Sequence, residues 1–366
     1  MKTNTQEQDL LPDKARLHQL SEEVIGLLKQ LIATPSLSKE EDATADLIQH
    51  FLEARGIKTM RKLNNVWVVN KHFKKNLPTI LLNSHHDTVK PNSGYTLNPF
   101  EAIEKDGKLF GLGSNDAGGP LVGLLAAFLY FYELPTAHNF IFAATAEEEI
   151  SGKNGVEAIL PELGKIDFAI VGEPTLMQLA IAEKGLLVVD CVAHGRSGHA
   201  AREEGENAIY KALKDIHWFQ SFQLPKVSET LGPVKMNVTI IHAGTQHNVV
   251  PDICEFTVDI RITDAYKNEE VLEIIRQHVS CEVKPRSVRL TPSSISKDHP
   301  IVKAGLSVGR TTYGSPTTSD QALMDFPSLK LGPGDSARSH TADEFIFINE
   351  IKEGIELYVK MLLKIN

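Results

Sequence analysis

The chain has 366 residues, 42% of them apolar and 23% charged, which suits about two domains of roughly 150 residues each with a large buried core. A formal net charge of −9 with no basic stripe argues against nucleic acid as a partner. Three cysteines, Cys191, Cys254 and Cys281, none in a Cys-x-x-Cys pair, form neither a disulfide framework nor a zinc ribbon and read as small hydrophobes of a reducing cytoplasm.

The start, Met1 to Lys14, is polar and lacks the apolar core of a secretory signal, so a cytoplasmic location without membrane attachment is expected. From Ala15 to Ile32 apolar residues recur at helical spacing until Pro35. Ser38 and Glu41 predict a capping box for a second helix carrying Leu47, Phe51 and Leu52, stopped by Gly56. Strand-like runs follow at Val66–Val69, Thr79–Asn83, Phe140–Ala144 and Phe168–Val171. The longest apolar stretch, Leu121–Tyr132, follows Pro120 and is shorter than the ~20 residues that span a bilayer, so it predicts a buried helix. Strands alternating with helices predict an α/β domain with a mostly parallel sheet.

Beyond about Glu183 the texture changes. Leu186–Ala193, Met236–His242, Cys254–Ile262 and Val288–Leu290 read as strands, and Asn207–Phe219 and Glu269–Val279 as helices. This β-α-β-β-α-β order predicts a small ferredoxin-like α+β domain over residues 184–293. It is inserted into the first domain, which comprises 1–183 and 294–366, because candidate site residues lie on both sides of it. A closing helix carries Ile348, Ile351, Ile355, Tyr358 and Leu362 on one face.

Five short segments put metal-type side chains beside apolar runs: His85-His86-Asp87, Asp116 within Gly113–Gly119, Glu147-Glu148-Glu149, Glu173 in Gly172-Glu173-Pro174, and His340 after the Gly332-Pro333-Gly334 turn. Two imidazoles and several carboxylates are the donor set of a divalent-ion cluster. His85 and Asp87 share one side of an extended backbone, so Asp87 can hold the far ring N–H of a ligating His85. Asp116 occupies the place of the third glycine of a dinucleotide loop, where it would repel phosphate but could bridge two cations. Adjacent carboxylates at a strand end repel unless a cation neutralises them. Of Glu148 and Glu149, one can bind metal while its neighbour acts as general base. Each segment alone also fits an ordinary polar strand end or turn.

In order and context these motifs resemble the family of dinuclear zinc deacylases and exopeptidases that includes acetylornithine deacetylase, succinyl-diaminopimelate desuccinylase, aminoacylase and carboxypeptidase G. The resemblance runs from about residue 20 to the C-terminus. It implies a zinc-exopeptidase-like catalytic domain whose inserted unit serves as lid and dimer interface. It further implies that His85 and Glu173 hold one zinc and Glu149 and His340 the other, with Asp116 bridging. Glu148 would be the general base and Asp87 the carboxylate that orients His85. In the lid, His199 would reach the site of a partner subunit, and Asn248 and Arg261 would grip the substrate carboxylate. Asp116-Ala117-Gly118-Gly119 departs from the family's usual Asp-Met-Lys-Gly, and Gly314–Asp320 from its usual glycine-rich turn.

The implied cofactors are two Zn²⁺ ions per chain, with Co²⁺ as a substitute, and the implied state is a homodimer. The implied reaction is hydrolysis of an N-acyl amino acid, N2-acetylornithine first, in arginine biosynthesis. N-succinylornithine, N-acetylcitrulline, succinyl-diaminopimelate and dipeptides are the alternatives within the same chemistry. A non-catalytic binding protein or a purely structural oligomer would not need Glu148 beside the ligand set.

Overall fold

Four of the five segments converge because they follow the ends of neighbouring strands of one sheet. The computed structural model describes residues 11–366; most of the polar start, read above for its lack of a signal, lies outside the described residues. The chain divides into two units. The first runs to Ile181 and resumes over Ile295–Tyr313 and Ser319–Asn366, and the second comprises Ala182–Ser294 with Gly314–Thr318.

In the first unit the strand order is Met60–Lys62, Asn65–Val69, Asn139–Thr145, Thr79–His85, Phe168–Val171 and Ser328–Lys330, followed by Leu179–Glu183 at the unit boundary. The four strands from Asn139–Thr145 to Ser328–Lys330 are mutually parallel. All four are buried at every residue, as expected where a parallel sheet is covered on both faces. Helix Gly119–Phe131 is buried at every residue and helix Ile348–Leu363 along one face; both join the main apolar core with helix Lys14–Ile32.

Strand Thr79–His85 has Asn139–Thr145 on one side and Phe168–Val171 on the other. Strand order therefore reverses at its carboxyl end, where open α/β sheets leave a crevice. Its last residue is His85. Glu147–Glu149 follow Asn139–Thr145, Glu173 follows Phe168–Val171, and the turn leading to His340 follows Ser328–Lys330.

The predicted capping box does not form. Helix Asp42–Glu53 has no side-chain cap; Ser38 Oγ instead donates to Asp87, and Glu41 accepts from the amides of Lys39 and Glu147. Both polar groups are drawn to partners distant in sequence, which no local pattern specifies.

The second unit is a four-stranded antiparallel sheet in the order Lys235–Ala243, Ile253–Ile262, Gly185–His194 and Glu282–Pro285. Helices Ala208–Ser221 and Asn268–His278 pack into its own apolar core. The final strand is Glu282–Pro285, not the expected Val288–Leu290. A proline closing an edge strand is compatible with the ladder, and Val288 and Leu290 instead supply carbonyls to the Asn268 side chain. Among the described residues no helix is long and apolar enough to cross a membrane.

Candidate metal centre

His85 is buried, with 1% of its side chain exposed. Its Nδ1 lies 3.0 Å from the Asp87 backbone oxygen and 3.3 Å from Asp87 Oδ1. That contact turns Nε2 toward a wall of carboxylates: Asp116 Oδ1 at 3.3 Å, Glu173 Oε1 at 3.8 Å and Glu148 Oε2 at 3.9 Å. Nε2 nevertheless has no hydrogen-bond partner. On the open side, His340 Nε2 lies 3.0 Å from Glu149 Oε2 and 3.6 Å from Asp116 Oδ2. Asp116 thus turns one oxygen to each histidine.

Two groups of ligand-type atoms lie within 4.8 Å of one another: His85, Glu148 and Glu173, and His85, Asp116 and Glu149. These residues fit a divalent-ion pair on two observations. A buried imidazole nitrogen is left without a partner, and four carboxylates crowd into a space where each raises its neighbours' cost of ionisation. Burial, with the charges of Glu173, Asp320 and Glu149, pushes the Glu148 carboxyl well above its usual range. Burial and Asp116 push Glu173 up to about 8. Hydrogen bonding to Glu149 raises His340 to about 9. A cation relieves these pressures together.

The backbone is shaped for this cluster. Gly118, two residues past Asp116, tolerates no side chain, because a Cβ there would lie 2.4 Å from the Gly113 carbonyl oxygen. This accounts for a glycine in the motif's departure from the family pattern. Glu147 and His340 hold left-handed φ angles of 54° and 60°, conformations unfavourable for such residues and frequent at functional sites.

Sequence reasoning missed four contributors. Glu41 accepts from Asn64 Nδ2 at 3.0 Å and from the Glu147 amide at 3.2 Å. Ser38 donates to Asp87 at 2.7 Å. Asp320 accepts from Asn83 at 2.9 Å and Thr145 at 2.7 Å, beneath the strand ends. Glu344 accepts three backbone N–H groups of the Asp116 turn. Polar residues flanked by ordinary turns carry no periodic signal; only the position of Glu344 four residues after His340 set it near a candidate segment. His86, given no role above, is a packing residue. Its ring is buried between Thr44 Oγ1 and the Asn64 carbonyl, and burial lowers its pKa to about 4.

In the second unit, His199 and Asn248 come together. Gly198–His199 pairs with Val249–Val250, and the Ala200 amide donates to the Asn248 carbonyl. Both side chains are exposed. Arg261 does not join them. It lies near the far end of strand Ile253–Ile262, opposite Lys235 and Leu186, eight residues or about 26 Å along the strand from Ile253. Within this unit Arg261 and the Asn248 segment therefore stand toward opposite ends of strand Ile253–Ile262. The Arg261 guanidinium is already paired through Nε and Nη2 with Asp259 at 2.8 and 3.0 Å, and Nη1 reaches Thr318 Oγ1 at 3.4 Å.

Comparison with known proteins agrees with this architecture. The model of peptidase family M20/M25/M40 matches residues 81–364. Among curated proteins, acetylornithine deacetylase of Proteus mirabilis is 28% identical over 372 residues, covering 92% of this chain and 95% of the relative. Succinyl-diaminopimelate desuccinylase of Rickettsia felis is also 28% identical, covering 93% and 99%. Among solved structures, aminopeptidase PepT from Bacillus cereus superposes with a TM-score of 0.78 at 20% identity, covering 94% of this chain and 98% of that one. The chain belongs to peptidase family M20/M25/M40 and is a hydrolase of that family.

Proposed function

We propose that the protein is a two-metal amidohydrolase that cleaves an N-acyl amino acid, N2-acetylornithine or a close analogue, to the free amino acid and a small carboxylate, in arginine biosynthesis. The observation that carries the reading is Asp116, whose two oxygens face His85 and His340, each of which also has a glutamate beside it. In this reading His85 and Glu173 would hold one ion, Glu149 and His340 the other, with Asp116 shared between them. The ions are zinc, with cobalt as a functional substitute. When bound, they polarise the amide carbonyl and acidify a water.

Glu148 would accept a proton from the attacking water and return it to the leaving nitrogen. Asp87 keeps His85 oriented through Nδ1. In the second unit, the pairing of Arg261 with Asp259 preserves the guanidinium's plane and leaves its Nη1–Nη2 end for a substrate carboxylate.

His199 and Asn248 sit at the other end of the sheet from Arg261, which favours their supply by a second copy. Strand Lys235–Ala243 is the sheet's open edge and exposes Ile240 and Ile241, and the adjoining helix Ala208–Ser221 exposes Tyr210 and Leu213. Such a surface suits a homodimer. The three free cysteines suit a cytoplasmic location.

Equal identity to a deacetylase and a desuccinylase keeps succinyl substrates as the second reading. The test is turnover of N-acetyl and N-succinyl forms of ornithine, citrulline and diaminopimelate, with dipeptides alongside, in the presence of Zn²⁺ or Co²⁺. Acetylated ornithine or citrulline should lead. Preference for succinyl-diaminopimelate or unblocked dipeptides would replace the substrate, and full activity without metal would overturn the mechanism.

A further inference from the structure

Glu344 is 2% exposed and lies outside the proposed ligand set. Its Oε1 accepts the amides of Asn115 at 2.8 Å and Asp116 at 2.9 Å, and its Oε2 accepts that of Gly113 at 3.2 Å. Its own carbonyl accepts the Gly111 amide at 3.0 Å. One residue therefore takes up every second or successive amide through the turn that presents Asp116. A second tie reinforces the first: Asn115 Nδ2 donates to the Asp335 carbonyl, and the Asp335 amide donates back to Asn115 Oδ1. Asp335 and Glu344 flank His340. The turn carrying Asp116 is thus fastened on both sides to the segment carrying His340.

We propose that Glu344 is a positioning residue for the two-metal centre, fixing the backbone of Asp116 relative to His340 so that the carboxylate can face both ions. The inference rests on the two-metal reading above. Three amide donors converging on one buried carboxylate leave the turn little freedom; removing the acceptor strands those amides in the interior and frees Asp116 to rotate. Glu344 lies outside the proposed ligand set, so its loss acts through the Asp116 turn that it holds. A Gln in its place keeps the shape but turns an NH₂ toward an amide donor that needs an acceptor.

The experiment is a competitive chelator titration of full-length wild type, Glu344→Gln, Glu344→Asp and Asp343→Asn with Zn²⁺, with the visible spectrum of the Co²⁺-loaded forms recorded in parallel. Asp343 is the control: it anchors the same segment elsewhere, accepting the amides of Thr96 and Leu97. Glu344→Gln should bind Zn²⁺ about 10–100-fold more weakly, the usual effect of removing a partner that orients a metal ligand, and should show an altered Co²⁺ spectrum. Asp343→Asn should do neither. Should Glu344→Gln fail to fold, Glu344→Asp, too short to reach the turn, carries the same expectation.

Unchanged Zn²⁺ affinity and Co²⁺ spectrum in the folded Glu344 variants, with only a lower melting temperature, would overturn the positioning role while wild type still binds two ions. Equal weakening in Asp343→Asn would also overturn it, by showing that any loosening of the segment suffices. Wild type that binds no metal would instead sink the two-metal reading and this inference with it.

Discussion

Asp87 accepts the backbone amide of Glu148 on Oδ1 at 3.0 Å and that of Glu149 on Oδ2 at 3.2 Å, while the same carboxylate lies against His85 Nδ1. The residue read from sequence as an orienter of one histidine also sets the strand end that carries two of the glutamates. Asp87→Ala should therefore be more damaging than the loss of a single hydrogen bond. Each stranded buried group costs about 1–3 kcal/mol, and metal affinity should fall about 10–100-fold. Thermal melts and a Zn²⁺ titration of the variant check both; wild-type affinity would deny Asp87 its hold on His85.

Glu148 stands beside Glu149 but faces His85 and Glu173 rather than His340. Glu148→Gln should keep its metal and lose ~10²–10⁴-fold in kcat, the usual range for a general base. Elemental analysis alongside steady-state kinetics separates the possibilities. Loss of metal in proportion to activity would make Glu148 a ligand, and a fall below about tenfold with metal retained would exclude both roles.

Metal removal should abolish amide hydrolysis and also lower stability, because the crowded carboxylates lose their counter-charge. An ion at 100 times its Kd adds about 2.7 kcal/mol to folding, so the melting temperature should rise with added Zn²⁺ or Co²⁺ after chelation. A melting temperature indifferent to metal would contradict the site.

If His199 acts across a dimer, His199→Ala should lower turnover with metal content unchanged. Mixing it with Glu148→Gln protein should restore part of the activity, since a mixed dimer has one intact site. Ile241→Lys, on the open edge of the sheet, should shift sedimentation toward the monomer and lower kcat together. Absence of rescue, under conditions where subunits demonstrably exchange, would refute the assignment in trans.

His299 accepts the Ile301 amide through Nδ1 at the start of helix Pro300–Ser307, and burial lowers its pKa. The folded state thus holds this proton less tightly than the unfolded chain. The cap's contribution is complete above the unfolded value of about 6.5 and is lost as pH falls through the lower folded value. His299→Asn keeps an N-cap acceptor without a titrating ring. Its melting temperature should fall less than wild type's between pH 7.5 and pH 5.5, and parallel slopes would remove His299 from the pH dependence.

Three of the four parallel strands, the buried helix and the closing helix were legible because apolar runs and helical periodicity are local properties, imposed by burial on each segment separately. The three-residue strand Ser328–Lys330 was too short to show. His85, Glu147–Glu149 and Glu173 were legible because they follow strands that the pattern already located, whereas Asp116 and His340 were marked by glycine-rich turns. Tertiary structure alone decided which carboxylate oxygen faces which histidine, since that depends on strand order and on turns such as Gly113–Gly118. It also sent Ser38 and Glu41 away from a helix cap, tied Glu344 to the Asp116 turn, and set Arg261 at the opposite end of the sheet from Asn248. These are pairings between residues remote in sequence. Their energy comes from satisfying buried polar groups in three dimensions, and a one-dimensional pattern of polar and apolar residues carries no record of which partners will meet.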